Sequence, residues 1–177
     1  MKLYLASSFK LVDRVQDVSD YLESEGFSIT EKWWARIYDI EGKKIVTTDL
    51  KKINDDYPPE SFYGIPETIK SFYLDFEGVM SANAFVFIAS DELRKYNGAC
   101  VELGLALGRK IPCYLLGRLE NSVLFTPLIR CRNKEDLLGK LTDYVLSNSS
   151  SINNGELGSQ ESQQIRTAES KELRRSE

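Results

Sequence analysis

Apolar residues recur along this chain with two periods, and the switches between them mark out its elements. Residues 2–6 alternate around Leu3 and Leu5, which predicts a strand, and Ser7, Ser8 and Phe9 then make a turn. Leu11, Val15, Val18 and Leu22 follow at helical spacing, with Gly26 as the stop. Phe27 to Trp33 predicts a second strand. The region 35–66 is less regular: Asp39 to Lys43 has turn chemistry, and Asp55-Asp56-Tyr57-Pro58-Pro59 breaks any element. It is expected to be an insertion, serving as an active-site lid or a subunit contact. Between Glu67 and Ala82, Ile69, Phe72, Phe76 and Val79 form one apolar helix face. Ala84 to Ala89 is continuously apolar, as strands buried in parallel sheets are. A glycine-opened helix runs from Asn97 to Gly108, carrying Glu102. Ile111–Leu116 and Leu128–Cys131 predict two more strands. Lys134 to Leu146 predicts a last helix with Leu137, Leu138, Leu141 and Val145 inward.

Strands alternating with helices predict an α/β fold, a flavodoxin-like doubly wound parallel five-stranded sheet with helices on both faces. It is expected to occupy residues 1–147. Beyond that, Ser, Asn, Gln, Glu and Arg dominate without period, and 148–177 reads as a disordered polar tail.

Composition narrows the chemistry. The length of 177 residues suits one domain, and a net charge of -4 offers no electrostatic case for nucleic acid or an anionic membrane. No apolar run approaches a bilayer span, and Met1 to Ala6 is too short and too soon polar for a signal peptide. Cys100, Cys113 and Cys131 lack paired spacing, which fits reduced thiols in a cytoplasmic protein. The chain has no histidine. Ser-His-Asp and Cys-His catalysis and His-ligated metals are therefore excluded, and acid–base work falls to carboxylates, Tyr, Lys or Cys. No metal and no cofactor is expected.

In such a fold, ligands bind beyond the carboxyl ends of the strands. Four pieces of sequence reach that edge: Tyr4 with Ser7-Ser8-Phe9, Thr30 to Trp34, Ser90-Asp91 leading to Gly98 and Glu102, and Gly117-Arg118. Asp75 lies beside Phe72 and Val79 on its helix and so borders the buried face. Two carboxylates in one pocket suit cleavage of a glycosidic bond, one as nucleophile and the other managing a proton. A tyrosine such as Tyr4 could orient the nucleophile. Taken singly, each residue has a plainer role. Glu102 would be a helix-dipole partner or a solvated side chain, and Asp75 a solvated helix residue. Ser7 and Ser8 would be caps, Trp33 and Trp34 half-buried strand aromatics, and Gly98 a turn glycine.

Their joint order resembles the nucleoside 2-deoxyribosyltransferase family, especially its branch that hydrolyses nucleoside 5'-monophosphates. The matching pieces are Leu3 to Phe9, Thr30-Glu31-Lys32, Tyr73-Leu74-Asp75-Phe76, Ser81 to Val86, Gly98 to Ala106, Arg109 to Pro112 and Val123 to Arg130. The resemblance implies a flavodoxin-like sheet and a covalent glycosyl intermediate at the sugar C1' on Glu102. It makes Asp75 the carboxylate that assists the base or acceptor and puts Tyr4 close to the nucleophile. It places Ser8 near a phosphate and Ser7, Phe9, Asn83, Asp91, Tyr96 and Gly98 around the substrate. It also implies a small-molecule nucleoside or nucleotide as ligand and a homodimer or larger homo-oligomer. Asn83 stands where many members carry Asp, and Tyr96 where the monophosphate branch has Ser. Hydrolysis and base transfer both stay open. Two other readings stand beside this one. Ala99-Cys100 to Leu103 echoes TIR-like NAD glycohydrolases, and the fold could also serve a non-catalytic nucleotide sensor.

Overall fold

The computed structural model describes residues 1–40, 42–47, 66–90, 96–118 and 125–149. Asp91, positions 48–65 of the expected insertion and all but the first two residues of the expected tail lie outside the described residues. Residues 1–137 form one compact unit, and a second starts at Leu138.

Strand β1 (Lys2–Ala6) leads through a 3-10 turn (Phe9–Leu11) into helix α1 (Val12–Ser24). Short strand β2 (Ser28–Ile29) follows, then a second 3-10 turn (Trp33–Ala35) and the strands β3 (Ile37–Ile40) and β4 (Lys43–Val46). Helix α2 (Pro66–Ser81), strand β5 (Ala84–Ile88), helix α3 (Asn97–Gly108), β6 (Cys113–Leu116) and β7 (Ile129–Cys131) complete the first unit's regular elements. Helix α4 spans 134–149.

The main sheet has the order β2-β1-β5-β6-β7 with every pair parallel, which is the flavodoxin-like arrangement. The chain steps outward from β1 to β2, then returns past β1 to β5. Because parallel crossovers are right-handed, that reversal puts helices on both faces. It also makes the β1–β5 boundary the switch point where ligands bind in such sheets. β5 and most of β1 and β6 are buried at every residue, so the sheet centre is the core. Each large apolar side chain there contributes roughly 1.5–3 kcal/mol. β6 starts only after Pro112, which has no N–H to give a ladder.

Two expectations fail. The second strand ends at Ile29 instead of reaching Trp33. Trp33 and Trp34 turn inward in the 3-10 segment, where the Trp33 indole Nε1 donates to Leu5 O at 2.8 Å. One buried indole bond outweighs the alternation that suggests a strand. The second failure concerns α2. Val79 is buried, but Ile69, Phe72 and Phe76 are 54%, 59% and 44% exposed, so the apolar face mostly points outward. Ser71, Leu74, Asp75 and Gly78 lie less exposed.

Within region 35–66, β3 and β4 pair antiparallel as a separate two-stranded sheet. The turn chemistry expected at Asp39 to Lys43 is present: Gly42 has φ +78, and its N–H donates to Asp39 Oδ1 at 2.9 Å. Among the described residues no helix is long and apolar enough to cross a membrane.

Candidate active site

The site is built around Tyr4, whose position β1 dictates. Tyr4 pairs in register with Phe85 of β5, and the two rings stack at 5.9 Å with an interplanar angle of 14°. Alternation along β1 sends Leu3 and Leu5 to the opposite face. Above the tyrosine ring runs α2, and the approach is close enough to demand glycine. A Cβ on Gly78 would sit 2.8 Å from the Tyr4 ring and 2.8 Å from Glu31 Cβ. A mid-helix glycine costs up to about 1 kcal/mol relative to alanine, so its presence marks this contact.

The Tyr4 hydroxyl, completely shielded from solvent with its residue, donates to Asp75 Oδ1 at 2.9 Å. Asp75 is gripped from its other side by Arg36. Nη2 reaches Oδ1 at 2.7 Å and Nη1 reaches Oδ2 at 3.2 Å, a two-pronged pair. Arg36 also donates through Nε to Glu31 Oε1 at 2.9 Å and through Nη1 to Ser71 O at 3.2 Å. Its side chain is only 10% exposed.

Glu102 enters from α3. It is the sixth residue of that helix, beyond the first turn, so the helix-dipole role weighed for it has little geometric support. Its carboxyl is pushed up to about 8, first by burial and then by the negative charge of Asp75. The Tyr4 hydroxyl and the Arg36 charge pull in the opposite direction. Burial also drives the Tyr4 phenol far above its ordinary range, reinforced by the charges of Glu102 and Asp75. The charges of Asp75 and Glu102 therefore both act on Tyr4, and that of Asp75 acts on Glu102 as well. Cys100, on the same helix, is raised by burial and by Glu102, which makes it a poor thiolate.

The residues expected around the substrate divide. Ser7 donates to Ile88 O at 2.7 Å at the carboxyl end of β5, and Ser8 caps the first 3-10 turn. Phe9 is 45% exposed and meets Trp33 edge-on at 5.5 Å, leaving an aromatic ring at the sheet edge. Gly98 is the second residue of α3, where a Cβ would meet nothing within 4 Å, so its backbone does not require glycine. Tyr96 is buried, and its hydroxyl accepts from Ser90 N at 2.7 Å. Asn83 sits at the other end of the sheet. Its Oδ1 accepts from Lys2 N at 2.8 Å, and its own N–H donates to Lys2 O. That joins the starts of β1 and β5, away from the cluster.

Sequence reasoning missed Arg36 and Gly78 altogether. The glycine left a signal, an isolated Gly inside a strong helical pattern. Arg36 left none, because its partner is 39 residues away.

Comparison of the sequence with protein-family models and with curated proteins finds no match. Among solved structures, the chain is similar to a 2-deoxyribosyltransferase from the psychrotolerant bacterium Bacillus psychrosaccharolyticus. The two are 20% identical over 77% of this chain and 90% of that one, with a TM-score of 0.48. It is also similar to the CMP N-glycosidase BcmB of Clostridium botulinum, at 16% identity over 80% of this chain and 99% of that one, with a TM-score of 0.45.

Proposed function

We propose that this chain cleaves or transfers at the N-glycosidic bond of a (deoxy)nucleoside or nucleotide, with Glu102 as the nucleophile. The carrying observation is the buried Tyr4 hydroxyl bonded to Asp75 at the switch point of the sheet in a histidine-free chain, with the charge of Glu102 acting on the same tyrosine. A carboxylate oxygen of Glu102 would bond to C1' as the C1'–N bond breaks. The bonding pair would leave with the base, which takes a proton from solvent. Water, or a second base, would then attack C1' and free Glu102. In the hydrolytic case the water's proton passes to Glu102 and from there to solvent.

The geometry favours a division of labour between the carboxylates. Asp75 accepts two hydrogen bonds from Arg36 and one from Tyr4, so most of its acceptor capacity is already engaged. Its role in this reading is to hold Tyr4 in place, in contrast to the proton-managing role that a pair of carboxylates suggests and to the base- or acceptor-assisting role that the resemblance implies. Among the described residues no such guanidinium fork is seen on Glu102, which in this reading is the reacting carboxylate. The exposed ring of Phe9 offers a surface for a base, and Ser7 and Ser8 follow β1 at the same edge.

The test is base release, followed by chromatography, from a panel of nucleosides, deoxynucleosides, their 5'-monophosphates and NAD. Release from at least one deoxynucleoside or nucleotide, abolished in Glu102→Gln, is expected. A fluorinated sugar analogue should leave a mass adduct on the peptide holding Glu102. Unchanged turnover in Glu102→Gln would sink the mechanism, and release from NAD alone would move the assignment to NAD hydrolysis.

A further inference from the structure

A guanidinium taken out of water is costly unless its N–H groups find acceptors. Arg36 meets that demand with Glu31, Ser71 O and both oxygens of Asp75. Its backbone is held just as closely. Arg36 O accepts from Thr47 N at 2.9 Å and from Thr47 Oγ1 at 3.1 Å, and Thr47 is completely buried. Thr47 Oγ1 also lies 2.9 Å from Trp33 O, tying the 3-10 turn to the same point. Residues 37–46, which form the β3–β4 hairpin, therefore close a loop whose two ends meet at Arg36 and Thr47. An isolated two-strand hairpin is marginal by itself. This one is docked on α2, where Ser71 Oγ donates to the buried Tyr38 hydroxyl at 3.3 Å.

We propose that Arg36 is a positioning residue of this site, locked in place by the β3–β4 hairpin, and that it decides which carboxylate receives the Tyr4 proton. The phenol has a single proton and two carboxylate neighbours, Asp75 and Glu102. With Arg36 in place, Asp75 shares its charge with the guanidinium and holds the Tyr4 hydroxyl, which donates to it at 2.9 Å, less strongly, so Tyr4 can turn its proton to Glu102 when that group ionises. Without Arg36, Asp75 becomes an uncompensated charge that keeps the proton and repels a second negative charge. Both effects oppose ionisation of Glu102. Among the described residues, the titratable or charged groups acting on Glu102 are Tyr4 from β1, Asp75 from α2, Arg36 ahead of β3 and, on its own helix, Cys100. Of these, Arg36 alone is a cation.

The proposal rests on Glu102 being the reacting carboxylate, and its test needs no substrate. The full chain, labelled with carboxyl-13C glutamate, is titrated by NMR, with the Glu102 signal assigned by its loss in Glu102→Gln. In Arg36→Met the Glu102 midpoint should rise by about one pH unit, and in Asp75→Asn it should fall. Arg36→Lys keeps the charge but loses the fork, and should restore most of the wild-type midpoint. Thr47→Val leaves every charge in place and loosens only the anchor. It should shift the midpoint upward by less than Arg36→Met, and it serves if Arg36→Met does not fold. A purely structural role for Arg36 would not give opposite signs at Arg36 and Asp75. Glu102 midpoints that do not move in the folded Arg36 and Thr47 variants would overturn the proposal. Absence of base release from every substrate would instead remove the glycosidic reading, and the two failures are told apart by the method that reports them.

Discussion

Helices α1 and α2 present opposite chemistries to the interior. α1 turns Val12, Val15, Val18 and Leu22 inward, all of them buried. α2 turns Ser71 and Asp75 toward Arg36 and Tyr38, and leaves Ile69, Phe72, Tyr73, Phe76 and Met80 exposed. The first is placed by the hydrophobic effect, which has no direction and needs only apolar area. The second is placed by a few directed bonds among charged groups and by one close backbone approach at Gly78. A helix oriented in that way indicates a region shaped by chemistry at some cost in burial.

The sharpest way to break this contrast is to compare one substitution at each kind of site. Glu102→Gln should lower turnover by about a thousand-fold or more while the protein stays folded. Leu22→Ala, inside α1, should cost about 2–5 kcal/mol of stability and leave the rate per folded molecule unchanged. Denaturant unfolding together with initial rates reads both. A large stability loss in Glu102→Gln would make that residue part of the core instead.

Next in size is the dependence of stability on pH. The native Glu102 carboxyl is raised to about 8 from an ordinary value of 4.5. Between those values the folded protein binds the extra proton, so this group's stabilisation is complete below about pH 4.5 and is lost as pH rises through 8. After allowance for solvent screening the loss is up to about 3 kcal/mol. Glu102→Gln should remove that slope and be the more stable protein at pH 8. Turnover should run the other way, rising between pH 6 and 8 as the nucleophile ionises. Parallel stability curves for the two proteins would contradict the buried, charge-crowded setting of Glu102.

What could be read from the residues follows the same division. The apolar runs of β1 and β5 and the face of α1 were legible because burial imposes a local period. The parallel order of the sheet followed from the alternation of strands and helices. Glu102, Asp75 and Tyr4 could be singled out together only through their joint order and the resemblance. The orientation of α2 was not, because Ile69, Phe72 and Phe76 satisfy the helical period as well as Val79 does, and the deciding partner, Arg36, is remote in sequence. The end of β2 was missed for a similar reason, since the indole of Trp33 bonds to Leu5 O, 28 residues away. Asn83 misled because the resemblance fixes its place in a motif, while its hydrogen bonds belong to the start of β1.

Smaller effects separate the glycines. Gly78→Ala gains helix propensity but drives a Cβ to 2.8 Å from the Tyr4 ring and from Glu31. The net result should be a loss of about 1–2 kcal/mol, with turnover lowered because Tyr4 is displaced. Gly104→Ala, in α3 with nothing within 4 Å of its Cβ, should gain about 0.5–1 kcal/mol and leave turnover alone. Two glycines in helix interiors then respond with opposite signs, and thermal melts read both. If Gly78→Ala were also stabilising, the close packing of α2 on Tyr4 would be wrong.

The smallest expected effect tests the outer face of α2. Phe72 is 59% exposed in the single chain, and exposed side chains contribute little to folding. Phe72→Ser should therefore change stability by less than about 0.5 kcal/mol, far below the cost of Leu22→Ala. The measurement is denaturant unfolding at two protein concentrations a hundred-fold apart. For an isolated chain the midpoint is independent of concentration, and both proteins should coincide. A concentration-dependent midpoint in the wild type that disappears in Phe72→Ser would mean that a second copy covers this face. In that case the exposed apolar row of α2 is an interface, and the helix is apolar on its outer side for the same reason that α1 is apolar on its inner one.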